Sequence, residues 1–280
     1  MGKKLKIWNP TVSWDQAENA WDEGALRAAC SHPIKKLSTL PHMPGIAEKH
    51  LAFKSLLYLI THDSTRLFRR YVFKHPIQYA LRYIASLIKK KSYQRDGDFF
   101  LYRVNDLAHF KKLLAEKDTL FVIGFSYCHK PFECPSGRFS DQCCHDPEHP
   151  VCRQCFIGKT MNALPEHPSC IPLFIPTVHY IGEKMFELKE RIADKKILFL
   201  ITACEMTLEM FGNWGNMLGI RGIGVRLDGP ICNTMQAFNL SERGIKPGLT
   251  VVLDSTQERI LDLIHFLRSH TLEDAPCEKV

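Results

Sequence analysis

The chain has 280 residues, of which 45% are hydrophobic, with a formal net charge of +7 and eleven cysteines. That length holds one large domain or two modest ones, and the apolar share suits a globular protein with a buried core. An odd number of cysteines in a chain of this size argues against a secreted disulfide scaffold and for reduced thiols used as ligands or in redox chemistry.

At the N-terminus, Met1-Gly2-Lys3-Lys4-Leu5-Lys6 leads into no apolar segment, so no secretory signal is expected. Lys6 stands where N-myristoylation needs Ser or Thr. The longest apolar runs, such as 197–201, fall far short of the roughly 20 residues that span a bilayer. The expected location is cytoplasmic, with peripheral contact at the inner face of a membrane as an extension of that reading.

The first hundred residues read as mostly helical. Ser13 and Gln16 form a capping-box pattern that starts a helix running to about residue 29. Pro41, Pro44 and Gly45 mark a loop, and 51–60 reads as a helix with a wide apolar stripe. From Arg66 to Arg95 there are nine basic residues, and no acidic one lies between Asp63 and Asp96. Leu67, Phe68, Tyr71 and Val72 share a helical face, and Pro76 suits the first position of a new helix. In that helix Ile77, Ala80, Leu81, Ile84, Ala85 and Ile88 recur at helical spacing, opposite Gln78, Arg82, Ser86 and Lys89. The expectation is a helical cap that buries the apolar stripe and solvates the basic face. An anionic membrane is the first candidate partner for such a face, and nucleic acid the weaker one.

From about residue 118 the pattern changes. Short apolar runs at 119–126, 171–175, 196–203, 222–227 and 250–253 read as five strands. Helical stretches lie between and after them, at 155–164, 178–193, 205–211 and 256–268. This alternation predicts an α/β fold, a mostly parallel sheet covered on both faces in Rossmann-like layering. The predicted division is a basic helical region over 1–105, a cysteine-rich α/β domain over 106–270 and a flexible tail over 271–280.

Six cysteines crowd one loop: Cys128, Cys134, Cys143, Cys144, Cys152 and Cys155. Thiolates there suit an iron–sulfur cluster or zinc. A single C-x2-C pair and the Cys134-Pro135 step favour iron–sulfur, whereas His129, His145 and His149 offer a way to complete a zinc site. Cys204 and Cys232 follow two of the predicted strands, as Cys128 follows another. All three are therefore expected at the carboxyl edge of the sheet, where open α/β sheets bind ligands. Eight thiols serve two four-iron clusters, or one cluster plus a reactive thiol.

The blocks Cys128-His129, Cys134-Pro135, residues 152–159, Ala203-Cys204-Glu205 and residues 229–234 occur in an order that resembles the cysteine-rich family called domain of unknown function 116. The likeness covers about residues 118–270 and implies a cysteine-dependent site, without a particular reaction. The long segment between Cys134 and Cys152, with Cys143 and Cys144, departs from the family's compact pattern.

Weaker candidates complete the site. Glu205, beside Cys204, is a candidate general acid or base. Lys159 is a candidate anion contact at a helix start, although Arg153 stands where a P-loop needs glycine. Asn233 and Thr234 are candidate ligand contacts or helix caps. Cys152 and Cys155 opening a helix also fit a thiol oxidoreductase. The reading is an iron–sulfur protein in redox or electron-transfer chemistry on a small molecule. The alternatives are a zinc-stabilised module that docks through its basic helices, and the thiol oxidoreductase.

Overall fold

A computed structural model describes residues 8, 12–35, 49–63, 66–88, 93–192 and 195–273. The predicted loop at 41–45, Lys89 and residues 274–280 lie outside the described residues.

In the N-terminal part, α1 (Trp14–Ser31) starts at the expected capping box, with the Ser13 side chain on Gln16 N–H and the Gln16 side chain on Ser13 N–H. Next come α2 (Leu51–Thr61), the short α3 (Leu67–Arg70), a 3-10 turn over Val72–Lys74, and α4 (Pro76–Ile88). The sheet begins earlier than the sequence suggested, with β1 (Gln94–Asp96) and β2 (Phe99–Tyr102) forming a hairpin. Its two-residue loop starts with Gly97 at φ +57°, a turn that favours glycine. Residues 94–102 therefore belong to the α/β unit and not to a separate N-terminal region.

The rest alternates strands and helices: α5 (Leu107–Leu114), β3 (Thr119–Ser126), α6 (Pro150–Arg153), α7 (Phe156–Ala163), β4 (Cys170–Ile175), α8 (Val178–Arg191), β5 (Lys196–Ala203), α9 (Glu205–Leu218), β6 (Arg221–Arg226), α10 (Met235–Ser241) and α11 (Asp254–Glu273); the sequence reading does not anticipate α5, α6 and α10, and α9 runs on past its expected end at residue 211. The sheet order is β1-β2-β6-β5-β3-β4. Strands β3, β4, β5 and β6 are parallel, and the hairpin adds two antiparallel strands at the β6 edge.

Every residue of β3 up to Phe125 is buried, which is why its sequence reads as an unbroken apolar run. Phe121, Ile123 and Phe125 pack toward α5, α7 and α11 on one face of the sheet. Leu120 and Val122 pack toward α8 and α9 on the other, along with Tyr79 and Tyr83 of α4. Trp14 and Trp21 pack with the first of these layers and Trp214 with the second, as packing residues.

Three more expectations change. The predicted strand at 250–253 forms only an isolated antiparallel bridge, Asp228 to Val251. The Thr250 N–H goes to the Cys128 carbonyl, so this segment crosses the strand ends instead of extending the sheet. Helix α11 continues through Glu273, so 271–273 are not a tail. Helix α4 is turned the other way: Tyr79 and Tyr83 are buried, while Ile77, Leu81 and Ile84 are 75%, 63% and 51% exposed. Tyr83 takes the buried side with its hydroxyl on the Ala52 carbonyl at 3.0 Å, and Tyr79 with its ring edge-on to Phe186.

Candidate functional site

The chain leaves β3 for β4 on one side and returns to β5 on the other side of β3. The topological switch point of the parallel strands thus lies between the ends of β3 and β5, where such sheets open a crevice. Cys128 sits in the 3-10 turn after β3, and Cys204 is the N-cap residue of α9 directly after β5. Cys232 follows β6 in the turn through Gly229, whose φ is +96°. All three are buried. The sequence placed these thiols on one edge, and the structure brings them together.

The Cys204 and Cys232 thiols share a hydrogen bond, and Cys204 Sγ also lies 3.1 Å from Thr207 Oγ1. Lys246 is buried and donates from Nζ to Cys232 Sγ at 3.4 Å. The Cys232 hydrogen bond, then Lys246 and Thr207, hold the Cys204 thiol below its usual range, against burial. Cys232 keeps its proton, its own pKa raised by that same bond and by burial. Burial also raises the Cys128 thiol. A small cavity of about 40 Å³ lies against Cys128 and Cys204, closed by Ser126, Thr177, Thr207 and Glu242. It holds little more than a water molecule. Burial pushes the Glu242 carboxyl up to about 8, although it accepts the Val178 N–H at 2.9 Å.

The other five thiols form a separate group in the loop. Cys144 Sγ lies 3.5 Å from Cys152 Sγ. Cys134, Cys143 and Cys155 are electrostatically coupled to one another and to the Lys130 ammonium. Burial pushes Cys143 up to about 12 and Cys155 up to about 11, the latter opposed by the N–H groups of Gly158 and Ile157. Burial and the Cys144 contact raise Cys152 as well. Cys155 is the N-cap residue of α7. In that helix Gly158 passes so close to the preceding turn that a Cβ would lie 2.1 Å from the Cys152 carbonyl oxygen.

Two cations set the path of the loop. Lys130 is 1% exposed and donates to the carbonyls of Gln142 at 2.6 Å and Ser140 at 2.9 Å. Arg138 donates to the carbonyls of Lys246 at 2.8 Å, Cys128 at 3.1 Å and Lys130 at 3.1 Å, and to that of Gly248. It thereby ties the loop group to the strand-end group. A larger cavity of about 500 Å³ opens beside Cys155, with His129, Arg153, Lys159 and Thr250 in its wall.

Several candidates have other duties. His129 is buried with Nε2 2.9 Å from Thr202 Oγ1, and burial pushes it down to about 3, so it stays neutral. His145 Nδ1 lies 3.2 Å from the Cys143 carbonyl oxygen, and His149 Nδ1 accepts the Val151 N–H. Lys159 does not await an anion: it pairs with Glu18 and Asp22 of α1, each at 2.8 Å. Glu205 pairs with Arg95 of β1 at 2.7 Å. The carboxyl beside Cys204 is that of Glu242 instead. Thr234 caps α10 by accepting the Ala237 N–H, with Asn233 half-buried next to it.

Sequence reasoning missed Lys130, Arg138, Glu242 and Lys246. Only the first two carry a signal, as cations inside a cysteine-rich loop. Among the described residues, no three His, Cys, Asp or Glu side chains are gathered closely enough to hold one metal ion as they stand. Comparison with family models, with curated proteins and with solved structures returned no match.

Proposed function

We propose that this chain is an iron–sulfur protein in redox chemistry, with one cluster on Cys134, Cys143, Cys152 and Cys155 and a second cysteine site at Cys128, Cys204 and Cys232. The observation that carries the reading is the sorting of the thiols into two groups, each facing a buried lysine, Lys130 or Lys246. A buried ammonium is costly unless compensated, and thiolates on a metal centre supply that charge. The raised pKa values of Cys143 and Cys155 fit ligands that lose their protons when metal binds. The single C-x2-C pair and the Cys134-Pro135 step weigh toward a cluster over zinc. The order of cysteine blocks that resembles domain of unknown function 116 belongs to the same proposal.

Bound there, a cluster supplies one-electron transfer. The chain's own groups do the rest. Lys130 and Arg138 hold the loop in place. Glu242, protonated near neutral pH, offers a proton at the cavity beside Cys204. The 500 Å³ cavity at Cys155 is of a size to admit a small molecule.

The test is iron and sulfide content after anaerobic reconstitution of two double variants, C134S/C155S and C204S/C232S. Each is expected to lose the iron of its own group and keep that of the other. Full iron content in C134S/C155S refutes the loop assignment. A second reading rests on the 3.5 Å contact of Cys144 and Cys152: thiol–disulfide exchange, in which a substrate disulfide becomes two thiols as these two sulfurs join. Here the sulfur in contact with Cys152 is Cys144 and not Cys155. Non-reducing peptide mapping that finds a Cys144–Cys152 link after exposure to oxidised glutathione, in protein that binds no iron, supports that reading.

A further inference from the structure

At the amino end of the parallel strands, the edge opposite the thiols, a cavity of about 360 Å³ opens between the starts of β5 and β6 and the ends of α8 and α9. Its floor is apolar: Leu113, Leu198, Leu218 and Ile220 are buried there, with Ile192 and Ile197 half-buried beside them. Lys189, Lys195, Lys196 and Arg221 also line it, and among the described residues no acidic side chain does. Lys196 is already paired, with Glu116 at 2.7 Å and Asp118 at 3.2 Å. Lys189 has no described carboxylate: its Nζ donates to the Leu218 carbonyl at the end of α9. Burial lowers its pKa, and Arg82 and Arg103 lower it further, so these three cations lie within reach of one another. Arg103 follows β2 in left-handed backbone at φ +55°, and its Nη1 lies 3.3 Å from where a Cβ on Gly219, in the cavity wall, would stand. The register that pairs Tyr102 with Gly222 carries Arg103 and Arg221 to this same edge.

Like charges gathered without counter-charge repel, and the carbonyl end of α9 offsets only about half an elementary charge. An anion completes the set. We propose that this cavity binds a small amphiphilic anion, an alkyl or prenyl phosphate, with the phosphate among Lys189, Arg103 and Arg221 and the hydrocarbon chain on the apolar floor. A phosphate monoester carries about 1.5 to 2 negative charges at neutral pH and meets an arginine fork through two oxygens at once, so it balances several cations where a carboxylate balances one. The walls select the rest of the molecule. The Thr119 hydroxyl is committed to the Leu113 carbonyl at 2.8 Å, so no uncharged polar side chain of the wall is free for a ligand. A sugar or a nucleobase is oriented by such groups, whereas a hydrocarbon chain needs none. The volume falls within the range of small-molecule sites. Strand β5 runs eight residues from Lys196 at this edge to Ala203 beside Cys204, about 26 Å, so the site stands apart from the thiols and does not depend on the iron–sulfur reading.

The test is isothermal titration calorimetry of the full chain with octyl phosphate, and in turn with inorganic phosphate, octanol and glucose 6-phosphate. Octyl phosphate is expected to bind one to one, about tenfold or more tighter than any of the other three. Arg103→Asn with Arg221→Gln removes two of the cations and leaves at 103 a residue that accepts left-handed backbone. That protein is expected to bind octyl phosphate about tenfold more weakly. Without ligand it is expected to melt no lower than wild type, because the repulsion is relieved. Absence of octyl phosphate binding overturns the proposal. So does equal affinity for inorganic phosphate, which makes no use of the apolar floor. Unchanged affinity in the folded double variant overturns it as well, since the ligand then sits elsewhere on the chain.

Discussion

The Lys246 ammonium lies 3.4 Å from the Cys232 sulfur, and Cys128, Cys204 and Cys232 are the groups that raise its pKa against the cost of burial. Without anionic sulfur, such an ammonium is a buried charge with poor compensation. Lys246→Met keeps the stem and removes the charge. The expected result is lower iron retention together with an unchanged or raised melting temperature of the iron-free protein. Iron content equal to wild type would show that the lysine does not serve a thiolate centre.

Gly158→Ala tests the geometry at Cys152. In an ordinary helix this change is stabilising, by about 1 kcal/mol. Here the new Cβ meets the Cys152 carbonyl oxygen at 2.1 Å, a backbone atom that cannot swing aside. The expected sign is therefore reversed, with a loss of about 1–3 kcal/mol in urea unfolding. The change is also expected to lower iron content, because it moves Cys152 relative to Cys155.

Arg138→Lys keeps the charge but not the planar fork that meets four carbonyls. The loss is expected to be about 3 kcal/mol, since hydrogen bonds from a charged group are worth about 1.5–3 kcal/mol each and lysine recovers some of them. Limited proteolysis should then cut first within 131–144, the stretch that Arg138 anchors. Wild-type resistance there would place the anchor elsewhere.

Acid should destabilise the fold through buried histidines. Burial lowers His179, although the Leu59 carbonyl at 3.2 Å partly offsets it. Its folded pKa lies below the unfolded value of about 6.5, so between the two the unfolded chain binds more protons. Stability is then full above about pH 6.5 and falls as the pH drops toward the folded pKa. Urea midpoints at pH 7.5 and 5.5 should differ in that direction, and His179→Gln should narrow the difference. A midpoint higher at pH 5.5 would contradict this.

The elements most legible in the sequence were those set by local chemistry. The capping box at Ser13 and Gln16, Pro76 at a helix start and the apolar runs of β3 and β5 depend on neighbours in sequence. The β1–β2 hairpin was signalled only by Gly97-Asp98, at the end of a stretch whose basic charge read as helical surface. The reversal of α4 was hidden because hydropathy ranks Ile77 and Leu81 above Tyr79 and Tyr83, while the body beneath offers ring partners, Phe186 and Trp214. The strand-end thiols were legible from position, since any residue after a parallel strand lands on that edge. The separation of the loop thiols was not, because it follows from long-range ties such as Arg138 to the Gly248 carbonyl.

The most direct test of the iron–sulfur reading is iron, sulfide and zinc analysis of one anaerobically purified sample, taken with its absorption spectrum. The account predicts a brown protein with iron and sulfide in similar amounts. A colourless protein with stoichiometric zinc, or one without metal after anaerobic reconstitution with iron and sulfide, would contradict it.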